Sequence, residues 1–66
     1  MIVVNRRDKL DWHVGRTVQS VLDEMGYDFV LLTVTVNGEH VPEDAYESHV
    51  VPDNADVRAI HLHHGG

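Results

Sequence analysis

The chain has no cysteine, which excludes disulfides, thiolate metal sites and cysteine nucleophiles together. A small domain without disulfides fits a reducing compartment, and the expected location is cytoplasmic. Basic side chains are scarce. Five Lys and Arg stand against eleven Asp and Glu, a formal net charge of −6. That surface repels phosphate backbones, so no nucleic-acid partner is expected. It suits docking on a basic partner, or simply keeps a small protein in solution. No apolar stretch approaches the roughly 20 residues that span a bilayer, and no membrane association is expected. The apolar start Met1-Ile2-Val3-Val4 stops at Asn5, where charges follow, unlike a secretory signal. Internal repeats, linkers and low-complexity segments are missing too. No nucleophile–base pair or carboxylate dyad stands at a recognisable spacing, which argues against an independent enzyme.

What remains is a periodic pattern in 66 residues, 42% of them hydrophobic, enough for one domain that buries about 60% of its unfolded surface. Ile2 to Asn5 reads as a short strand and Arg6-Arg7-Asp8 as a turn. Lys9 to His13 then alternates, with Leu10, Trp12 and Val14 on the buried face of an N-terminal hairpin. Thr17 is a good N-cap. Val18, Val21, Leu22 and Met25 follow at i, i+3, i+4 and i+7, one stripe of a helix that Gly26 ends.

Phe29 to Val36 is rich in β-branched residues and reads as a central strand, with Val34 and Val36 opposite Thr33 and Thr35. Asn37-Gly38 is a hairpin turn, Glu39-His40-Val41 a short return strand, and Pro42 its end. Glu43 to His49 reads as a helical turn or ordered loop that packs Tyr46 onto the core. Pro52 to Ala55 is a second turn. Asp56 to Leu62 is the last strand, with apolar contacts from Val57, Ile60 and Leu62. Two N-terminal strands cannot cover the helix alone, so the later strands must join their sheet. The expected fold is α+β: a mixed sheet of four to five strands on one helix, first and last strands parallel at its centre. This is the ubiquitin-like β-grasp, spanning residues 1–62, with 63–66 as a flexible tail ending in Gly-Gly.

Frayed termini are often glycine-rich, so Gly65-Gly66 alone is a weak signal. Directly after a strand, however, three or four residues reach about 10–13 Å. Without Cβ atoms such a tip enters a narrow channel and presents its carboxylate there. With that tail, the sequence resembles the ThiS and MoaD sulfur carriers over essentially all 66 residues, most closely the ThiS type. The matching features are Gly15-x-Thr17-Val18, Val36-Asn37-Gly38, Val41-Pro42-x-x-x-Tyr46, Asp53 with Asp56, and Gly65-Gly66. Three departures stand out. Tyr46 occupies a position where the ThiS type often has Trp, and Asp53-Asn54-Ala55-Asp56 replaces a tighter Asp-Gly-Asp turn. His63 and His64 precede the glycines where aliphatic or small residues are more usual, which bears on which enzyme accepts the tail.

The resemblance implies a carrier rather than an enzyme, with no bound cofactor. A ubiquitin-activating-type enzyme would spend ATP to adenylate the Gly66 carboxylate. A sulfur donor such as a cysteine desulfurase would convert it to a thiocarboxylate, with Gly65 giving the tip its slenderness. The acceptor would be a thiazole synthase in thiamine biosynthesis, or another sulfur-accepting enzyme. A MoaD-type small subunit for molybdopterin synthesis and a ubiquitin-like modifier or binding module are the alternatives. Partners would dock on the open sheet face and beside the tail, making Thr33, Thr35, Arg58, His61, His63 and His64 the candidate contacts. Six histidines are many for this length. His61 and His63 share one side of an extended strand and can bind nickel or zinc. With no Cys, and carboxylates only on distant loops, no metal site is expected. A tail that changes charge near neutral pH is the plainer reading.

Overall fold

The computed structural model describes residues 1–27 and 32–61. Strand β1 (Ile2–Val4) and β2 (Asp8–Leu10) form an antiparallel hairpin, followed by helix α1 (Val18–Met25), β3 (Leu32–Val36), β4 (Glu39–Val41) and β5 (Asp56–His61). The sheet runs β2-β1-β5-β3-β4. β1 and β5 are parallel, and β3 pairs antiparallel with both β4 and β5. This mixed five-stranded sheet with one helix is the β-grasp, as its sequence pattern predicts. The first and last strands, β1 and β5, lie parallel at its centre as expected, and β3 is an interior strand beside β5.

The helix is fixed at both ends by its own sequence. Thr17 Oγ1 accepts from the Ser20 amide at 3.2 Å while Ser20 Oγ accepts from the Thr17 amide at 3.1 Å, a reciprocal box that satisfies two end donors. The next free amides are taken by the loop that precedes β5. Val18 donates to the His49 carbonyl at 3.0 Å and Gln19 to that of Tyr46 at 2.8 Å. Gly26, at φ 74°, closes the other end in the left-handed region, where a Cβ is strained. Val18, Val21 and Leu22 are buried and Met25 packs on them, the expected stripe.

Under the helix lie Ile2, Val4, Val34, Val36, Val41, Val57 and Ala59, all buried. A 3₁₀ turn, Glu43–Ala45, drops Tyr46 onto this core at 7% exposure. Asn37 (φ 51°) and Gly38 (φ 83°) make the tight β3–β4 turn, the positive-φ pair that matches strand twist.

Three details differ from the sequence reading. β1 stops at Val4, because Asn5 and Arg6 turn the chain at φ 54° and 57°. Val14 is 87% exposed: the chain bends after Trp12, whose Nε1 donates to the Val51 carbonyl at 2.8 Å. Ile60 is 56% exposed, and Ala59 takes the inward place at 3%. Phe29, Val30, Leu31 and Leu62, all assigned to strands from sequence, lie outside the described residues. So does the 63–66 tail.

Candidate functional site

Among the described residues the expected contacts lie on the adjacent strands β3 and β5, and β5 is the strand that precedes residues 62–66 in sequence. Its register is held from both sides: Val3 pairs with Asp56 and Val4 with Val57, while Leu32, Thr33, Val34, Thr35 and Val36 face His61 back to Val57. Two asparagines reinforce it. Asn37 accepts from the Asp56 amide through Oδ1 at 2.8 Å, and its own amide donates to the Asp56 carbonyl at 2.8 Å. Asn5 accepts from the Ala59 amide at 2.8 Å and donates through Nδ2 to the Ala59 carbonyl at 3.2 Å. Each asparagine sits in a positive-φ turn, a conformation its short polar side chain tolerates. Both are turn or strand-end residues in the sequence pattern, and their hold on β5 becomes visible in the fold. The available signal was their place beside a strand end.

Cross-strand partners share a face, so the pairing defines the open side of the sheet. Thr33 lies opposite Ile60, Thr35 opposite Arg58, and Thr35 is flanked on its other side by His40. The structure therefore brings Thr33, Thr35 and Arg58 together on the face away from the helix. It adds Ile60, an exposed β-branched side chain that the sequence reading had turned inward. Arg58 Nη2 lies 3.4 Å from Asp56 Oδ2, with both side chains partly exposed. This loose pair leaves the guanidinium available to a partner. Asp56 Oδ1 is buried without a hydrogen-bond partner. The His61 backbone closes β5 opposite Leu32. The His61 side chain, His63, His64, Gly65 and Gly66 lie outside the described residues.

Around this face the electrostatics are local. The Met1 α-ammonium hydrogen-bonds Asp53 at 2.9 Å and, with help from the Asn54 amide, holds that carboxyl below its usual range. Burial, with the Glu43 carboxylate adding to it, pushes the Tyr46 phenol up. Arg16 is buried beside the helix and forms a 2.6 Å ion pair with Glu24. Among the described residues no three His, Asp or Glu side chains gather as a metal site would require. No helix among them is long and apolar enough to cross a membrane.

No family model matches the chain, and no curated protein does. Among solved structures, the chain is similar to a thiamine biosynthesis protein (ThiS) from Geobacter metallireducens. The TM-score is 0.78 and the identity 24%, over 98% of this chain and 97% of that one. At that identity the likeness shows the fold alone.

Proposed function

We propose that this chain is a sulfur carrier of the ThiS type, with the Gly66 carboxylate as its working group. The observation that carries the reading is the end-to-end match to a ThiS structure, in a chain whose middle strand β5 is followed in sequence by five residues that end in Gly65-Gly66. The Val41-Pro42-x-x-x-Tyr46 segment, which forms a strand end, a 3₁₀ turn and a buried aromatic, supports the ThiS type over the molybdopterin-directed MoaD type.

The chemistry belongs to the tail and the enzymes that hold it. A Gly66 carboxylate oxygen attacks the α-phosphorus of ATP in an adenylating enzyme of the ubiquitin-activating type, and pyrophosphate leaves. The resulting mixed anhydride turns a resonance-stabilised carboxylate into an electrophile. A persulfide on the sulfur donor attacks the acyl carbon and AMP departs. A second thiol then attacks the donor's sulfur, leaving a disulfide there and a thiocarboxylate on Gly66. That sulfur attacks an acceptor, here assigned to the thiazole precursor of thiamine. The carrier itself contributes no acid, base or metal; it supplies the tethered group and the docking face.

Docking uses the open sheet face, where Ile60 is the apolar centre and Thr33, Thr35 and Arg58 surround it. An apolar anchor ringed by polar groups is the usual composition of an energetic interface centre. His63 and His64 make the tail bulkier before its glycines, and we assign them to selecting the adenylating enzyme. The test is pyrophosphate release with the adenylating enzyme and ATP. It is expected with the intact chain and lost when Gly66 is deleted; release that ignores the deletion would refute the assignment.

A further inference from the structure

On the opposite side of the sheet, α1 and the 3₁₀ segment leave a groove of about 340 Å³. Leu22 and Leu32 give it an apolar lining, and the phenols of Tyr27 and Tyr46 border it. Leu22 and Tyr46 are buried core residues, so this lining is part of the folded framework. Glu43, Asp44 and Glu47 also line it and are exposed. Among the described residues, none of the three forms an ion pair and no Lys, Arg or His borders the groove.

Apolar and aromatic walls beneath unpaired carboxylates match one kind of group. An arginine side chain lays its methylenes on apolar surface, stacks its guanidinium on a ring and pairs it with carboxylates. Position favours the same conclusion. Leu32 borders the groove and is also the register partner of His61, the last residue of β5. An enzyme gripping residues 62–66 therefore has the groove within reach.

We propose that this groove is a second docking site, which receives an arginine-bearing segment of the enzyme that handles the tail. The identity of that partner rests on the carrier reading; the cation preference of the groove does not. The open sheet face offers Ile60 of β5, and the groove lies on the helix side, bordered by Leu32 of the neighbouring strand β3. The carrier is thus clasped at the root of its tail, and the net charge of −6 acts through a particular place.

Two experiments separate the parts. Titration of the ¹⁵N-labelled protein with a short arginine peptide should shift the amides of Leu22, Tyr27, Leu32 and Tyr46. The double variant Glu43→Gln/Glu47→Gln should weaken that binding by about tenfold, the effect of two partly screened ion pairs. Asp11→Asn/Glu39→Gln removes the same charge elsewhere and should leave binding unchanged. Equal weakening by both variants, or shifts spread evenly over the acidic surface, overturns the site. In the second experiment, the Glu43→Gln/Glu47→Gln variant should raise the half-saturating carrier concentration for pyrophosphate release while turnover at saturation is kept. An unchanged half-saturation overturns the assigned partner. If the unaltered chain releases no pyrophosphate, the carrier reading fails while the peptide result stands.

Discussion

The side-chain amide of Asn5 and the backbone of Ala59 exchange two hydrogen bonds, 2.8 and 3.2 Å long, across 54 residues of sequence. They extend the parallel β1–β5 pairing past the point where β1 has turned away, seven residues before Gly66. Asn5→Ala should destabilise the fold by roughly 2–4 kcal/mol, because it removes both bonds and places a Cβ residue without a compensating amide at φ 54°. Asn5→Gly keeps the turn and should cost less. Urea unfolding of the two variants checks the order; equal stability of Asn5→Ala and the parent would contradict the clamp.

Ile60 and Ala59 are neighbours with opposite roles. Ile60→Ser should leave the unfolding midpoint within about 0.5 kcal/mol of the parent and weaken the adenylating enzyme's affinity by tenfold or more. Ala59→Leu should do the reverse, overpacking the core at a cost of about 1–3 kcal/mol. Denaturation and titration calorimetry on the same pair separate the two faces.

Arg16 and Glu24 form an asymmetric pair, with side-chain exposures of 7% and 48%. Removing Glu24 strands a buried guanidinium whose Nε already has no hydrogen-bond partner. Removing Arg16 leaves a carboxylate that water solvates. Glu24→Ala should therefore destabilise more than Arg16→Met, by about 1 kcal/mol or more. Thermal unfolding at neutral pH measures the difference.

Tyr46 ties stability to alkaline pH. Its folded-state phenol titrates above the ordinary value, mainly because burial penalises the anion, with Glu43 adding to it. The folded protein thus holds the proton more tightly than the unfolded chain does. This contribution is fully present below the unfolded value of about 10 and is lost as pH rises from there through the folded value. Tyr46→Phe should flatten the fall above pH about 10, as followed by urea midpoints across the alkaline range.

Much of this was legible in sequence because local rules carried it. The Thr17 cap, the Val18 to Met25 stripe, Gly26 and the Asn37-Gly38 turn each follow from nearest neighbours, and all stand in the structure. Thr33 and Thr35 face outward, as the alternation with Val34 and Val36 requires. What failed depended on distant partners. Parallel pairing with β1 puts Val57 and therefore Ala59 under the helix, so the more apolar Ile60 faces out against its own preference. Val14 continues an alternation that the chain abandons once Trp12 has found the Val51 carbonyl. The burial of Arg16 needs Glu24, eight residues further along the chain, and the Asn5 hold needs β5, 54 residues away; neither pairing follows from nearest neighbours. Of the candidate contacts, the fold gathers Thr33, Thr35 and Arg58, and the residues from Leu62 onward enter the account through chemistry alone.

The most direct measurement is the mass of the C-terminal tryptic peptide, Ala59 to Gly66, after reaction with the adenylating enzyme, ATP and a persulfide donor. Arg58 is the last tryptic site in the chain, so this peptide isolates the reactive end. The account predicts the gain of one oxygen-to-sulfur exchange on Gly66, dependent on ATP and reversed when the acceptor enzyme is supplied. An unchanged peptide with both thiazole-directed and molybdopterin-directed adenylating enzymes, or the same peptide found joined to a lysine, would contradict it.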